Sequence, residues 1–259
     1  MEGSSNVQGV LKIGDYITIK NLFLNYYLCA EGILVEDIVV DEKSSAFEDS
    51  LFCIFLQRQY SAARELDEFT RTTNTDEKVL HALQRGRDNE NQLNESYMSH
   101  KTGTPVCFGD TIQLFHVKSG KFVTITPDQL ARDERENIRI SLSTDGNPFS
   151  WIQILPRYKI DRIGDRILGD TEVLLKAAER PNEYIHCSEK GPPSGYFHEV
   201  NCSLEISGWR LSLYQNVDSI TDPNHLLISE LVRIFDPETK SNITVLGSSS
   251  DQADSQPLP

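Results

Sequence analysis

The side chains of this sequence that could bind a metal ion or attack a substrate are its six histidines and five cysteines. The histidines form neither an H-x-x-H nor an H-x-x-E-H pattern, so no two imidazoles are spaced to share a zinc ion on a helix. The cysteines are odd in number and scattered, without a C-x-x-C pair, which indicates reduced thiols. The spacing therefore predicts no metal site and no cofactor. The residues concerned are His81, His100, His116, His186, His198, His225, Cys29, Cys53, Cys107, Cys187 and Cys202.

Nucleophilic and phosphate-binding motifs are equally absent from the sequence. There is no G-x-S-x-G elbow, and the glycines from Gly103 to Gly109 are interrupted by Pro105 and Val106 with no following Lys-Ser/Thr. His186 and Cys187 are adjacent, so on a strand they point to opposite faces and cannot act as a catalytic pair. His116 is predicted to be a partly buried histidine with its hydrogen bonds satisfied. These observations predict a protein that is not an enzyme.

The balance of charge excludes further classes. The formal net charge is −14, with 38% hydrophobic and 25% charged residues, as in an ordinary folded protein. Such an acidic chain repels nucleic acid and anionic membranes, and it would bind a phosphorylated ligand only through a local basic pocket. We also expect no secretory signal and no membrane insertion, because the N-terminus lacks a basic segment before an apolar run and no apolar run is long enough to cross a bilayer.

An internal repeat supplies the elements of the fold. Residues 14–30, 109–125 and 169–187 each open with Gly-Asp and continue with alternating apolar and polar residues on both sides of a turn. Alternation with period two predicts half-buried strands, and Gly-Asp is typical of tight turns. Each segment is therefore predicted to be a β-hairpin.

A second repeated element closes each unit. It reads LFCIFLQ, WIQILPR and WRLSLYQ, and a large aromatic residue leads each copy: Phe52, Trp151 and Trp209. Three units of about four strands, each ending on a core aromatic, predict a mainly β fold, specifically a β-trefoil, because no single unit could bury its apolar face alone.

The first two repeats are separated by an insertion at about residues 57–104. Tyr60, Ala63, Leu66 and Phe69 follow helical spacing, and a capping box at Thr73–Asp76 or Asn74–Glu77 precedes an apolar stripe. Gly86 and the polar stretch after it weaken the second helix. We interpret the insertion as a two-helix arm between the first and second trefoil units; the alternative is a long surface loop.

The organisation along the chain is predicted as follows. Residues 1–10 form a flexible N-terminus, 11–220 the β-trefoil with its arm, 221–247 the start of a second, truncated trefoil, and 248–259 a disordered tail rich in Ser, Asp, Pro and Gln.

Several longer segments of the sequence stand out as a set over roughly residues 10–245. They are LKIGD from Leu11, RQYSA from Arg58, IQLFHVKSGKFVTI from Ile112, GNPFSWIQILPRYKIDRIGD from Gly146, HEVNCSLEISGW from His198 and LVRIFDPETKSNIT from Leu231. In this unbroken order they resemble the N-terminal domain of inositol 1,4,5-trisphosphate receptors, and the shared order makes chance similarity implausible.

This resemblance implies a β-trefoil with a helical arm that acts as a suppressor domain, lowering the ligand affinity of the downstream binding core and coupling ligand binding to channel gating. It implies as partners the ligand-binding core and neighbouring subunits of a homotetrameric calcium channel, at the cytoplasmic face of the endoplasmic reticulum. The family's Thr-Thr-Gly-Arg ligand loop has no counterpart here, so this chain alone is expected not to bind inositol trisphosphate. Neither nucleic acid nor direct membrane insertion is implied.

The resemblance also singles out individual residues. Lys118 matches a lysine implicated in suppression, although a solvated lysine in a hairpin turn is the simpler interpretation. Tyr158 matches an exposed tyrosine thought to contact a neighbouring subunit; from sequence alone a half-buried strand tyrosine is equally compatible. Leu34, Val35 and Glu36 match a family surface stretch, but this segment is shorter and lacks the family's arginine. A second family arginine is replaced by Glu48, which puts full regulatory strength in question.

Three alternatives stay open at this point. The chain could be a ryanodine-receptor-like N-terminal domain, since that family has a related first domain. It could be a β-trefoil carbohydrate-binding module, since the same repeat type occurs there. It could also be a free-standing short receptor-like protein that competes with the full channel.

Overall fold

The structure is a computed structural model that describes residues 9–41, 47–72, 76–190 and 197–215. In this part of the chain it is mainly β, with two α-helices. The strands are β1 (Tyr16–Asn21), β2 (Tyr27–Cys29), β3 (Val39–Asp41), β4 (Phe52–Leu56), β5 (Thr111–His116), β6 (Lys121–Leu130), β7 (Ile138–Ser143), β8 (Ile152–Pro156), β9 (Thr171–Ala177), β10 (Tyr184–Cys187), β11 (Phe197–Ser203) and β12 (Gly208–Gln215).

Six of the strands close into a ring. β1 pairs with β4, β4 with β5, β5 with β8, β8 with β9, β9 with β12, and β12 with β1, all antiparallel. These are the first and last strands of each predicted four-strand unit. Closure leaves none of the six with an unpaired edge, which removes a route to aggregation.

The remaining six strands form three hairpins at one end of this ring. β2 pairs with β3, β6 with β7, and β10 with β11. The hairpins also pair with one another, because β11 contacts both β3 and β7. The core between the ring and the hairpins is built from apolar side chains of all three units.

A cycle of backbone hydrogen bonds relates the three units. Leu11 N–H donates to the carbonyl of Ile167 (2.8 Å), Ile167 N–H to that of Val106 (2.9 Å), and Val106 N–H to that of Leu11 (2.8 Å). All three side chains are fully buried. This cycle defines which residues of the units are equivalent.

The equivalence corrects the predicted Gly-Asp repeat in its third copy. Three positions after each of Leu11, Val106 and Ile167 lie Gly14, Gly109 and Asp170, respectively. All three have positive φ, at 93°, 94° and 63°. Their amides donate to the closing strands at Ile54, Ile154 and Leu211. Asp170, and not Gly169, therefore occupies the glycine position of the third unit.

The same comparison corrects the predicted core aromatic of the second unit. Two residues before these acceptors lie Phe52, Ile152 and Trp209, which are 0%, 1% and 0% exposed. Trp151 precedes Ile152 by one residue and is only half-buried. A slip of one residue places a strand side chain on the opposite face, so Trp151 faces the arm and Ile152 fills the core.

The insertion is a two-helix arm, α1 (Ser61–Arg71) and α2 (Glu77–Lys101), between β4 and β5. Asp76 caps α2, because its carboxylate accepts hydrogen bonds from the amides of Lys78 and Val79. The predicted capping residues Thr73 and Asn74 lie outside the described residues. Gly86 does not end the helix, which continues for 15 more residues to Lys101.

The base of the arm is joined to the barrel. Tyr60 is buried, accepts a hydrogen bond from the amide of Gln113 (2.8 Å), and has its ring 6.2 Å from that of Trp151. Asn94 of α2 exchanges two hydrogen bonds of 2.8 Å with the backbone of Gln59. The arm is therefore held at its base by side chains that reach into the body of the domain.

Residues 1–8 of the predicted N-terminus at 1–10, residues 216–220 of the predicted first trefoil, the predicted second trefoil at 221–247 and the tail at 248–259 lie outside the described residues. Within the described ranges, neither helix combines the length and the apolar character that crossing a membrane requires.

Candidate interaction surfaces

The turn between β2 and β3 presents apolar side chains to solvent on a rigid backbone. Leu34 is 89% exposed, and Ile33 and Val35 are about half exposed. The Glu31 carboxylate accepts hydrogen bonds from the amides of Ile33, Leu34 and Val35, at 3.0, 2.7 and 3.0 Å respectively. The bond from Val35, followed by that from Leu34, lowers the pKa of Glu31. The carboxylate thus orders a turn whose apolar side chains point outward.

This turn packs against the turn between β5 and β6. A Cβ on Gly32 would lie 2.6 Å from Cβ of Ser119, and Gly32 has φ of +77°, so only glycine fits there. Next to Ser119, Lys118 forms an ion pair with Asp49 at 2.5 Å. This hydrogen bond raises the pKa of Lys118. The predicted residues Lys118, Leu34 and Val35 are therefore neighbours on one surface.

Glu36 completes this surface. Its carboxylate pairs with Nζ of Lys121 at 2.8 Å, and its carbonyl accepts a hydrogen bond from the amide of Leu142. The turn is thereby tied to β6 and β7. We call the set Leu34, Val35, Glu36 and Lys118 the turn surface.

His116 supports the turn surface from below. Its side chain is fully buried, with Nδ1 2.8 Å from Oγ of Ser119 and Nε2 3.2 Å from the carbonyl of Asp49. Burial lowers the pKa of His116 to about 4, so the ring is neutral at pH 7. The expectation of a histidine with satisfied hydrogen bonds is met, although the ring is completely rather than partly buried.

Tyr158 lies in a second cluster, in the connection between β8 and β9. Its ring is half exposed, and its hydroxyl donates to Glu172 at 2.5 Å. Arg210 pairs with the same carboxylate at 2.7 Å, and the guanidinium of Arg157 lies 5.7 Å from the tyrosine ring centroid. The hydrogen bond from Tyr158, followed by that from Arg210, lowers the pKa of Glu172. The tyrosine is thus held in place at the surface by a charged network.

The rest of this connection adds exposed apolar side chains. Ile160 is 84% and Ile163 64% exposed. The backbone is nevertheless anchored, because Gly164 N–H donates to the carbonyl of Phe108 at 2.8 Å and Phe108 N–H to that of Asp165 at 2.9 Å. We call Tyr158, Ile160 and Ile163 the connection surface.

Several members of these surfaces are not among the residues predicted from the sequence. Asp49, which holds Lys118, and Glu172, which holds Tyr158, are distant in sequence from the residues they bind, and no local pattern marks them. Ile160 and Ile163 could have been found, because they stand among charged residues in RYKIDRI, where isolated apolar side chains are easily left exposed. The side chains that define these two surfaces offer apolar contact together with fixed charges.

Comparison with known proteins shows the family. The sequence model described as "Inositol 1,4,5-trisphosphate/ryanodine receptor" matches residues 6–220. The chain belongs to this family. The inositol 1,4,5-trisphosphate receptor itr-1 of Caenorhabditis elegans is 26% identical over 267 residues, which cover 92% of this chain and 9% of that receptor. The chain thus spans less than a tenth of the length of this relative.

Solved structures show the fold at lower identity. A Caenorhabditis elegans protein of unknown function matches with a TM-score of 0.53 and 14% identity, covering 81% of this chain and 98% of that one. The SDF2-like protein from Arabidopsis thaliana matches with a TM-score of 0.52 and 13% identity, covering 78% and 94%. At such identities the likeness concerns the fold alone.

Proposed function

We propose that this domain is a non-enzymatic regulatory module of an inositol trisphosphate-gated calcium-release channel, and that its barrel is a β-trefoil. It lowers the ligand affinity of the downstream binding core and couples ligand binding to gating through protein contacts. The family match over residues 6–220 supports the class of protein. The similarity to itr-1 favours the inositol trisphosphate receptor over the ryanodine receptor.

The observation that carries the regulatory role is the turn surface. Leu34 is 89% exposed, and an apolar side chain gains nothing from water. The turn that holds Leu34 is fixed by Gly32, which has positive φ, and by three backbone amides that donate to the Glu31 carboxylate. A rigid exposed apolar residue beside a fixed charge suits a partner surface, where burial supplies energy and the charge sets orientation.

The partners follow from this proposal. They are the ligand-binding core and the neighbouring subunits of a tetrameric channel, at the cytoplasmic face of the endoplasmic reticulum. The connection surface is the second contact, through which Tyr158 transmits ligand binding to the gate. Inositol trisphosphate is held elsewhere in the channel, because neither surface offers a cluster of unpaired cations for three phosphates.

The affinity of the binding core tests the turn surface. This chain is fused in frame to the inositol trisphosphate-binding core of a related receptor, and ligand affinity is compared with that of the core alone. We expect the fused domain to lower affinity roughly fivefold or more, the usual size of coupling between sites. Leu34→Asp should restore most of the loss, because a carboxylate cannot be buried against an apolar partner.

Leu130→Asp is the matched control, since Leu130 is also an exposed leucine, at 61%, but lies outside both surfaces. Both substitutions should leave the melting temperature nearly unchanged, as is usual for exposed positions. If the wild-type fusion binds ligand as tightly as the core alone, suppression is absent. If both variants restore affinity equally, the turn surface is not the contact.

Channel opening tests the connection surface separately. Tyr158→Ala in a full-length receptor carrying this domain should reduce calcium release while the isolated domain keeps its melting temperature, because the ring is half exposed. Normal release, or a domain that no longer folds, would remove Tyr158 from the coupling.

A further inference from the structure

A pocket of about 550 Å³ opens beside the turn between β1 and β2, on the side where β10 ends and β11 connects to β12. Its rim carries exposed apolar side chains, Phe23 at 74% and Ile206 at 58%. Its lining includes the carboxylates of Glu189 and Glu205 and the ring of His186. None of these residues belongs to the turn surface or the connection surface.

His186 has an unsatisfied nitrogen in this pocket. The residue is 4% exposed, and its Nδ1 lies 3.0 Å from Oγ of Ser207. Its Nε2 is buried and has no hydrogen-bond partner among the described residues. The carboxylate oxygens of Glu134 and Glu205 lie 3.7 and 3.5 Å from Nε2, beyond hydrogen-bond distance. A buried polar atom left unpaired costs free energy that a ligand can recover.

The charges around this nitrogen are mainly negative. Glu134 is held in place by the side-chain amides of Asn137 and Asn201, which both donate to Oε2 at 3.0 Å. The side chain of Glu205 is 74% exposed and can adjust.

Two cations lie nearby, and among the described residues neither forms an ion pair with Glu134 or Glu205. The guanidinium of Arg157 lies against Gly208, because a Cβ on Gly208 would be 1.4 Å from Nη1 of Arg157. Nε of Arg157 is 3.7 Å from the Glu172 carboxylate, which balances part of the positive charge. Lys190 is exposed and acts on Glu134 by charge alone. The pocket therefore keeps a negative balance in a chain of net charge −14.

We propose that this pocket binds a basic side chain, lysine or arginine, of a partner polypeptide. With the His186 proton on Nδ1, donated to Ser207, the lone pair of Nε2 and the carboxylate of Glu205 are two neighbouring acceptors without a donor. Glu134, whose Oε2 already accepts from Asn137 and Asn201, adds negative charge beside them. An ammonium or guanidinium group supplies the N–H donors and the positive charge that these acceptors lack. Its methylene stem packs on the rim formed by Phe23 and Ile206.

The alternative of a metal ion is disfavoured by geometry. The described residues do not bring three His, Cys, Asp or Glu donors into an arrangement that could hold a metal. An organic cation tolerates the longer separations because its N–H groups reach each acceptor individually. The inference goes beyond the proposed regulatory function and does not depend on it.

Nuclear magnetic resonance of the full chain labelled with ¹⁵N tests this proposal. Long-range ring correlations report which nitrogen of His186 carries the proton, and we expect Nδ1. The probes are the capped tripeptides acetyl-Ile-Arg-Ile-amide and acetyl-Ile-Lys-Ile-amide, with acetyl-Ile-Gln-Ile-amide as the neutral control. The basic probes should shift the Nε2 resonance and the amides of Phe23, Cys187 and Gly208 saturably, and the glutamine probe should not.

Substitution of the exposed carboxylate supplies the second measurement. Glu205→Gln should weaken binding of the basic probes roughly threefold to fivefold at low salt, the effect of one solvent-exposed charge. Glu65→Gln, an exposed carboxylate on α1, is the matched control and should change nothing. Both variants should keep the wild-type melting temperature.

Four results would overturn the proposal. They are a proton on Nε2 in the free protein, equal shifts with the glutamine probe, unchanged affinity in Glu205→Gln, and saturable shifts at these resonances with Zn²⁺ but not with the basic probes.

Discussion

Trp209 and Trp151 carry the same side chain in different surroundings. Trp209 is fully buried, and its indole N–H donates to the carbonyl of Ile185 at 2.9 Å. Trp151 is half-buried, and its indole N–H donates to the carbonyl of Arg58 at 3.0 Å, at the base of the arm. The first indole belongs to the core of the barrel, and the second joins the barrel to the arm.

We therefore expect Trp209→Ala to destabilise the domain more than Trp151→Ala. Truncating a fully buried large aromatic costs about 3–5 kcal/mol, a large share of the roughly 5–15 kcal/mol of a typical domain. The loss at Trp151 is smaller, because part of its ring is already in water. Unfolding in urea measures both free energies. Equal losses, or a larger one for Trp151, would contradict the assignment of Ile152 to the core position.

His116 predicts a pH dependence of stability. Burial lowers its pKa to about 4, against about 6.5 in an unfolded chain. Between these values the unfolded chain binds a proton that the folded chain does not, so stability is complete above pH 6.5 and falls as the pH decreases towards 4. One proton corresponds to about 1.4 kcal/mol per pH unit.

His116→Gln should make the free energy of unfolding less steep in pH across this window, by up to that amount. His100→Gln, at an exposed position of α2, should leave the slope unchanged. Urea unfolding at a series of pH values compares the three proteins. A slope that His116→Gln leaves intact would show that another group takes up the proton.

At the scale of elements, the arm divides into a base and a tip. The base includes Tyr60, bonded to Gln113, and Asn94, bonded to Gln59. Glu90 accepts hydrogen bonds from the first amides of α1. Beyond these contacts the helices pack mainly on each other.

Replacing residues 65–86 by a short Gly-Ser linker should therefore leave a cooperative thermal transition within a few degrees of the wild type. Removing the whole insertion, residues 57–104, should cost much more, because the buried ring of Tyr60 leaves with it. Calorimetry compares the two deletions. A tip deletion that abolishes the transition would show that the arm is needed for folding, whereas a stable complete deletion would show that its base is dispensable.

Much of the element order could be predicted from the sequence. Gly-Asp followed by alternation located the starts of β1 and β5, because glycine with positive φ is needed at Gly14 and Gly109. In the third unit the predicted repeat is out of step by one residue. Asp170 itself adopts the positive φ, whereas the Gly-Asp pattern assigns that position to Gly169. In the second closing strand, the size of Trp151 makes it look like the core aromatic, although Ile152 is the buried residue. A period of two makes such a slip a change of face.

The candidate surfaces could be predicted only in part. The resemblance singled out Lys118 and Tyr158, but not what fixes them, because Asp49 and Glu172 meet them through pairing of distant strands. The pocket at His186 was invisible for the same reason, since Glu134 and Glu205 come from separate loops. Local patterns report elements, whereas these sites depend on how the three units face each other.

For the whole molecule, the net charge of −14 predicts that this chain does not bind inositol trisphosphate on its own. The ligand is a polyanion, and the summed field repels it. Titration calorimetry at low salt, where such fields extend furthest, should give no binding tighter than roughly millimolar. Micromolar affinity would mean that a basic site exists in this chain.

The pairing of β1 with β12 also has a mechanical consequence. These strands are antiparallel, and Tyr16 lies opposite Gln215, so the chain enters and leaves the barrel at the same end of one ladder. Tension between segments attached before Leu11 and after Gln215 would first load the two backbone hydrogen bonds of Leu11. It would then peel the ladder apart one hydrogen bond at a time, instead of loading all of its bonds together. We expect the domain to yield at low force, and to open along the ladder of β1 and β12, where its first and third units meet.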